Sequence, residues 1–294
     1  MKAQKARLYE DVRFLTEIRP FRNHLNTESL ERVCVYISEH FSNAGLLVST
    51  QKWIAGGKEY TNVLGVYNPG KPRRLIVGAH YDVCGNQAGA DDNASAVAGL
   101  LETARLLGKH KPQMDYTVEL VAYCLEEPPY FGTELMGSYI HAKSLFDAGV
   151  DVLGMICYEM IGFFSDQPNS QPFPFPEFSQ IYPSTANFIM TIGIDKFDEF
   201  NKKICSLMSE GSTIDVYNLS FSMSNIHLGL ADLSDHRNYW RFGYKALMIN
   251  DTSFIRNPNY HAHTDTIDTL DFDKMTEVVN GAYHAIVNMH QINS

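Results

Sequence analysis

No run in this chain is long and apolar enough to span a bilayer. Residues Met1 to Asp11 hold no apolar stretch of the kind a secretory signal needs. Basic residues are the minority. There are 24 Lys and Arg against 34 Asp and Glu, and the formal net charge of −10 argues against nucleic acid as the main partner. Cysteine is scarce and unpatterned. Cys34, Cys84, Cys124, Cys157 and Cys205 are odd in number, widely spaced and without a Cys-x-x-Cys pair. A disulfide framework is therefore not expected, and the sequence predicts a reduced, cytoplasmic protein with neither membrane nor nucleic acid as partner. No repeat, linker or break in composition divides the chain, so residues 1–294 are expected to form one domain.

What is present is an ordinary globular composition, 45% hydrophobic and 20% charged, at a length that supports a large core. The chain is organised around residues 74–93. Leu75-Ile76-Val77 is an apolar run too short for a helix and reads as a buried strand. It stops at His80-Tyr81-Asp82. A Gly-rich loop follows, ends in Asp91-Asp92-Asn93, and gives way to helical spacing over 94–107. The rest alternates in the same manner. Helices are predicted over 7–20, 26–43, 134–147, 195–209 and 272–290, with a short one near 233–243 capped by Ser234 or Asp235. Strands are predicted over 46–54, 61–67, 116–124, 151–157, 187–193, 213–219 and 245–250, with Gly56-Gly57 as a turn. Strands alternating with helices predict an α/β fold: one doubly wound, mostly parallel mixed sheet flanked by helices. Residues 165–185, with five prolines and several aromatics, read as an ordered loop that either walls a cleft or covers a sheet edge.

Ligand-type side chains stand at successive strand ends. They are His80 with Asp82, Glu126-Glu127 before Pro128-Pro129, Glu159, and a late loop with His261 and His263. Asp91 and Asp92 join them from the Gly-rich loop. Singly each is weak, since Glu-Glu pairs are usually solvated surface. Jointly they converge on the crevice beyond the carboxyl ends of the strands. So many carboxylates in one place repel each other without a cation, and the histidine–carboxylate mixture suits zinc.

Gly78-Ala-His-Tyr-Asp82, Gly89-Ala-Asp-Asp-Asn-Ala-Ser95, Glu126-Glu127, Ser234-Asp-His236 and Tyr260-His-x-x-x-Asp-Thr266 resemble the motifs of the co-catalytic zinc exopeptidases. That family includes aminopeptidase Y, glutamate carboxypeptidase and, more distantly, animal glutaminyl cyclase. The resemblance runs in order from about residue 60 to 270. It implies a zinc exopeptidase-like fold and two zinc ions held by His80, Asp92, Glu127, Glu159 and His261. Asp92 would be shared between them, with Asp91 as second choice. It also implies a cis peptide at Asp92–Asn93, Glu126 as general base, Tyr260 as oxyanion donor and Asp82 orienting His80 from behind. Glu159 departs from the family, which usually has Asp there. His263 is then a bystander or a group behind the ligands, Asp265 a support for the His261 loop, and His236 either a helix-cap neighbour or a candidate pocket residue. Cys84, Cys124 and Cys157 are read as packing.

The implied activity is metal-dependent hydrolysis of a peptide or small amide, most simply as an aminopeptidase. A carboxypeptidase would need a basic clamp, for which Arg237, Arg241 and Arg256 are available. Two alternatives stand beside this reading: a single-zinc acyltransferase of the glutaminyl cyclase kind, and a metal-dead binding module.

Overall fold

The computed structural model describes residues 2–224 and 229–289. Its frame is an eight-stranded sheet in the order β1-β2-β4-β3-β5-β8-β6-β7. The strands are β1 (Leu47–Ala55), β2 (Lys58–Tyr67), β3 (Arg73–His80), β4 (Tyr116–Tyr123), β5 (Asp151–Glu159), β6 (Ile189–Ile194), β7 (Val216–Phe221) and β8 (Ala246–Asn250). β1 and β2 form a hairpin, and β2 runs antiparallel to β4. The centre, β4-β3-β5-β8, is parallel throughout. β6 is parallel to β7 but antiparallel to β8. The sheet is thus mixed with a parallel core, as the alternating pattern predicts.

Seven helices among the described residues flank it: α1 (Lys5–Glu17), α2 (Thr27–Asn43), α3 (Ala96–His110), α4 (Gly137–Asp147), α5 (Asp198–Gly211), α6 (His236–Arg241) and α7 (Phe272–Asn288). The central strands have two buried faces, which explains their near-continuous apolar runs. On β3, Leu75, Val77 and Ala79 face the core built with α1, α2, α3, α5 and α7, while Ile76 faces the one built with α4 and α6. Each fully buried aliphatic side chain contributes about 1.5–3 kcal/mol relative to exposure.

Most boundaries fall within a few residues of expectation. The largest local departure is at the start of α3. Residues Ala90–Ser95 form an irregular turn with non-helical backbone at Asp92 and Asn93 and a cis peptide between them, so the regular helix begins at Ala96 rather than 94. Gly89 precedes this turn at φ +60°, and a Cβ there would meet the Asp92 carbonyl oxygen. Only glycine fits both demands. The expected cap of α6 is also absent. Asp235 stands at the cap position without a capping hydrogen bond, and the Ser234 hydroxyl donates elsewhere, to Glu159.

The Pro-rich stretch is ordered by aromatic packing. Phe173, Phe178 and Tyr182 lie against the second core, and Tyr182 donates its hydroxyl to the Asn218 carbonyl at 2.9 Å.

Candidate active site

The parallel strands deliver their carboxyl ends to one crevice. His80 is the last residue of β3 and Glu159 the last of β5, while Glu126 and Glu127 follow β4. Asp92 comes from the turn ahead of α3, and His261 from the loop before α7, where it takes a left-handed backbone at φ 55°. All but His261 are buried.

Asp92 sits between the two histidines. Its Oδ1 is 3.3 Å from His80 Nε2 and its Oδ2 is 3.0 Å from His261 Nε2. Glu159 Oε2 lies 3.3 Å from His80 Nε2, and Glu127 Oε2 lies 3.2 Å from His261 Nε2. Glu126 Oε2 stands farther off, 3.8 Å from His80 Nε2. The structure thus gathers His80, Asp92, Glu126, Glu127, Glu159 and His261 in one cluster. Tyr260 joins them by stacking on the His261 ring, with centroids 3.8 Å apart.

The supports behind the cluster are well defined. Asp82 accepts the backbone N–H groups of Glu126 and Glu127 at 3.2 and 3.1 Å, and its carbonyl oxygen is 3.2 Å from His80 Nδ1. That contact makes Nδ1 the protonated nitrogen and frees the Nε2 lone pair for the crevice. Asp265 accepts the N–H groups of Asp91 and Asp92 at 2.9 and 3.1 Å and donates its own N–H to the Ala262 carbonyl at 3.0 Å, so it ties the His261 loop to the Asp92 turn. Asp91 turns away, its carboxylate bound to the Gly162 N–H and the Asn257 amide. Arg22, fully buried, donates to the carbonyls of Tyr81, Ala88 and Gly89 and ties the start of the Gly-rich loop to the N-terminal region.

The electrostatics are those of a site short of positive charge. Burial raises Glu126 well above the carboxylate range, with the charges of Glu127 and Glu159 adding to the shift. Burial and the Asp92 charge push Glu127 up to about 8, and burial also raises Glu159. Burial would raise Asp92 too, but hydrogen bonds from His261 and His80 outweigh it and hold Asp92 low. Burial disfavours the His80 cation, yet Glu159 and Glu126 drive its pKa well up. His261 is carried to about 10 by Asp92 and Glu127 against the same penalty. One carboxylate oxygen, Glu127 Oε1, is buried without a hydrogen-bond partner. Crowded carboxylates with an unpartnered oxygen beside two imidazoles fit a divalent cation, and the donors are those zinc accepts.

An apolar cavity of about 150 Å³ opens from the cluster. Its walls include Phe131, Phe173, Phe178, Met190, Phe221 and Met248, with Tyr260 at the metal-ligand side. The Pro-rich stretch therefore walls the cleft. The expectation for His236 is corrected. It is buried away from the cavity with Nε2 2.6 Å from the Ala231 carbonyl oxygen, and burial lowers its pKa to about 4. His263 is exposed, as a bystander would be. Cys84, read from sequence as packing, lies instead with its Sγ among the donors of Glu127 and His261. Sequence spacing gave no signal for it, because a lone thiol in a Gly-rich loop has no motif.

Fold and site together describe a mixed α/β sheet flanked by helices, with a histidine–carboxylate cluster at the strand ends. Residues 62–286 match the model of peptidase family M28, and the chain belongs to that family. It is 38% identical to an uncharacterized Escherichia coli K12 protein, YfbL, over 97% of this chain and 88% of that protein. It is 29% identical to a probable leucine aminopeptidase 1 of Trichophyton verrucosum over 71% of this chain, and the matched region spans 52% of that enzyme's length. The fold is shared with a Bacteroides thetaiotaomicron glutaminyl cyclase, at TM-score 0.73 and 19% identity over 98% of this chain and 99% of that one.

Proposed function

We propose that this chain is an aminopeptidase with two zinc ions, and that residues 1–294 act as one catalytic unit. The observation that carries the reading is the placement of Asp92, with one carboxylate oxygen toward each histidine. His80, Asp92 and Glu159 would hold one ion, and Glu127, Asp92 and His261 the other. When bound, the ions polarise a substrate carbonyl and make a water acidic enough to deprotonate near neutral pH.

The chain's own residues do the rest. Glu126 stands back from the ligand set and takes the proton from the attacking water. It then returns that proton to the leaving amine. The Tyr260 hydroxyl donates to the oxygen that develops charge; burial, then the Asp92 charge, raises its pKa and keeps it protonated. Asp82 fixes the tautomer of His80 and the backbone that carries Glu126 and Glu127. The apolar cavity receives an uncharged side chain.

The arginines support an amino- rather than a carboxypeptidase. No Lys or Arg is among the described residues lining the cavity. Arg256 is committed to Gln171 and the Phe188 carbonyl, Arg237 to Asp232 and the Phe131 ring, and Arg241 lies near Tyr139 and Gly132. A substrate carboxylate finds no clamp there. The thiols of all five cysteines are free, which supports a reducing, cytoplasmic setting.

One observation favours a second reading. Glu159 Oε2, the oxygen facing His80, also accepts the Ser234 hydroxyl at 2.6 Å and the Asn93 amide at 3.3 Å. A Glu159 held this way would leave one ion on Asp92, Glu127 and His261, as in a cyclase-type acyltransferase. Metal content of the purified protein, read with hydrolysis of aminoacyl amides and cyclisation of an N-terminal glutamine, separates the two. Two ions with hydrolysis are expected. One ion with cyclisation favours the second reading, and no metal after zinc reconstitution overturns both.

A further inference from the structure

We propose that Cys84 is a metal ligand, binding through Sγ beside Glu127 and His261 at the second metal position. The proposal rests on the metal-centre reading above and adds to it a donor that the sequence motifs do not contain.

The geometry is local and specific. Cys84 Sγ, a carboxylate oxygen of Glu127 and a ring nitrogen of His261 all lie within 4.8 Å of one another. Donors in a tetrahedral shell with zinc–sulfur bonds near 2.3 Å stand roughly 3.5 Å apart. Glu127 Oε2 and His261 Nε2, 3.2 Å apart, already meet that spacing. A buried oxygen of the same cluster, Glu127 Oε1, lacks a hydrogen-bond partner. Asp92 Oδ2 lies 3.0 Å from the His261 nitrogen.

The thiol is also held in place. The Val83 N–H donates to the Arg22 carbonyl at 3.2 Å, and the Asn23 amide donates to the Gly85 carbonyl at 2.6 Å. The backbone is therefore anchored on both sides of Cys84. Other cysteines are used differently. Cys34 pairs with the Tyr81 hydroxyl, Cys157 with the Ser234 hydroxyl and Cys205 with the Val216 carbonyl. Cys84 instead faces carboxylates, which repel a thiolate unless a cation lies between them.

Binding exchanges one bond for another. The ion takes the sulfur lone pair as the S–H proton leaves to solvent. Cys84 would then stand with Glu127 and His261 as a protein donor at that position, while Glu126 stands on the other side, 3.8 Å from His80 Nε2. A sulfur donor biases the position toward zinc, cobalt or cadmium over magnesium or manganese.

The test loads wild type, Cys84→Ser and Cys84→Ala with cobalt(II). It reads metal content and the near-ultraviolet absorption that a cobalt–thiolate bond produces. Alkylation of Cys84 by iodoacetamide is followed by mass spectrometry in wild type with and without zinc, so that one arm needs no variant. The expected result is a thiolate band in wild type that both variants lack, and zinc slowing alkylation at Cys84 at least about tenfold, with a similar loss of zinc affinity in the variants. Cobalt bound without a thiolate band, a band that survives in the variants, or alkylation indifferent to zinc overturns the role of Cys84 alone. Wild type that binds neither metal overturns this proposal and the metal-centre reading together.

Discussion

Two groups of buried carboxylates in this protein are handled in opposite ways. On the helical side, Asp11 and Glu102 are 1% and 0% exposed. Each is met by arginine: Glu102 by Arg7 at 2.8 Å, Asp11 by Arg105 at 2.9 Å, with the Tyr36 hydroxyl adding 2.7 Å to Asp11. At the strand ends, Asp92, Glu127 and Glu159 are also buried but meet no arginine; their partners are histidines and, for Glu159, the Ser234 hydroxyl and the Asn93 amide, and Glu127 Oε1 is left over. A buried charge persists when it is paired. The first group is complete within the fold, whereas the second is complete only with something the chain does not encode. That difference, more than the count of acids, separates an ionic staple from a metal centre.

The comparison can be broken from either side. The largest effect is expected from Glu126→Gln, which leaves the ligand set intact. Hydrolysis should fall about 10²–10⁴-fold in kcat while metal content stays at the wild-type ratio. Retained activity would remove Glu126 as the base. On the helical side, Glu102→Ala removes a buried carboxylate from the part-exposed Arg7 and from Arg105, which keeps Asp11, and should cost about 1–3 kcal/mol in urea unfolding, equally with and without chelator. At the strand ends, Glu127→Gln should leave the metal-free protein as stable as wild type or more so. It should also remove about 2.7 kcal/mol of zinc-dependent stability if affinity drops a hundredfold. Equal destabilisation with and without zinc would make Glu127 an ordinary structural acid.

The pH dependence of the metal-free protein sharpens the contrast. Burial pushes Asp235 up to about 7. It also lifts Asp251 to about 6, with Arg256 opposing. Between roughly pH 4 and 7 the folded chain keeps protons that the unfolded chain, with its ordinary Asp values, has released. Stability should therefore fall as pH rises through that window. Glu119 acts in the other sense. Burial raises it, but His141 and then Arg74 outweigh burial and hold it low, so its contribution is lost only on acidification. Thermal unfolding across this range in chelator should slope downward with pH, and a flat profile would contradict the assignment. The smallest effect is expected in the cavity. Phe178→Leu should weaken kcat/KM for bulky apolar substrates by about 1 kcal/mol, several-fold, and leave alanyl substrates nearly unchanged.

Much of this was legible in the sequence, for physical reasons that can be named. The central strands are buried on both faces, so Leu75–Ala79 and Val118–Ala122 announce themselves as apolar runs. The candidate cluster could be found because parallel strands must end in one crevice, and ligand-type residues at those ends are unusual together. What was hidden depends on contacts between distant segments. The late start of α3 follows from the tight turn at Gly89 and the bracing of Asp91 and Asp92 by Asp265, 174 residues away from Asp91. His236 carries a motif-like position but packs inward against Trp240. The antiparallel placement of β6 beside β8 has no local signal. The Pro-rich stretch allowed two roles, and only the positions of β6 and β7 decide between them. Cys84 could not be told from a packing thiol until Glu127 and His261 were brought to it.

Arg22 carries a consequence for heredity and for cloning. The family match covers residues 62–286, yet the guanidinium that fastens the carbonyls of Tyr81, Ala88 and Gly89 comes from forty residues earlier in the chain. The segment recognisable by descent is therefore not a portable module. A gene trimmed to those limits would keep every motif letter and leave the catalytic loop resting on a missing keystone.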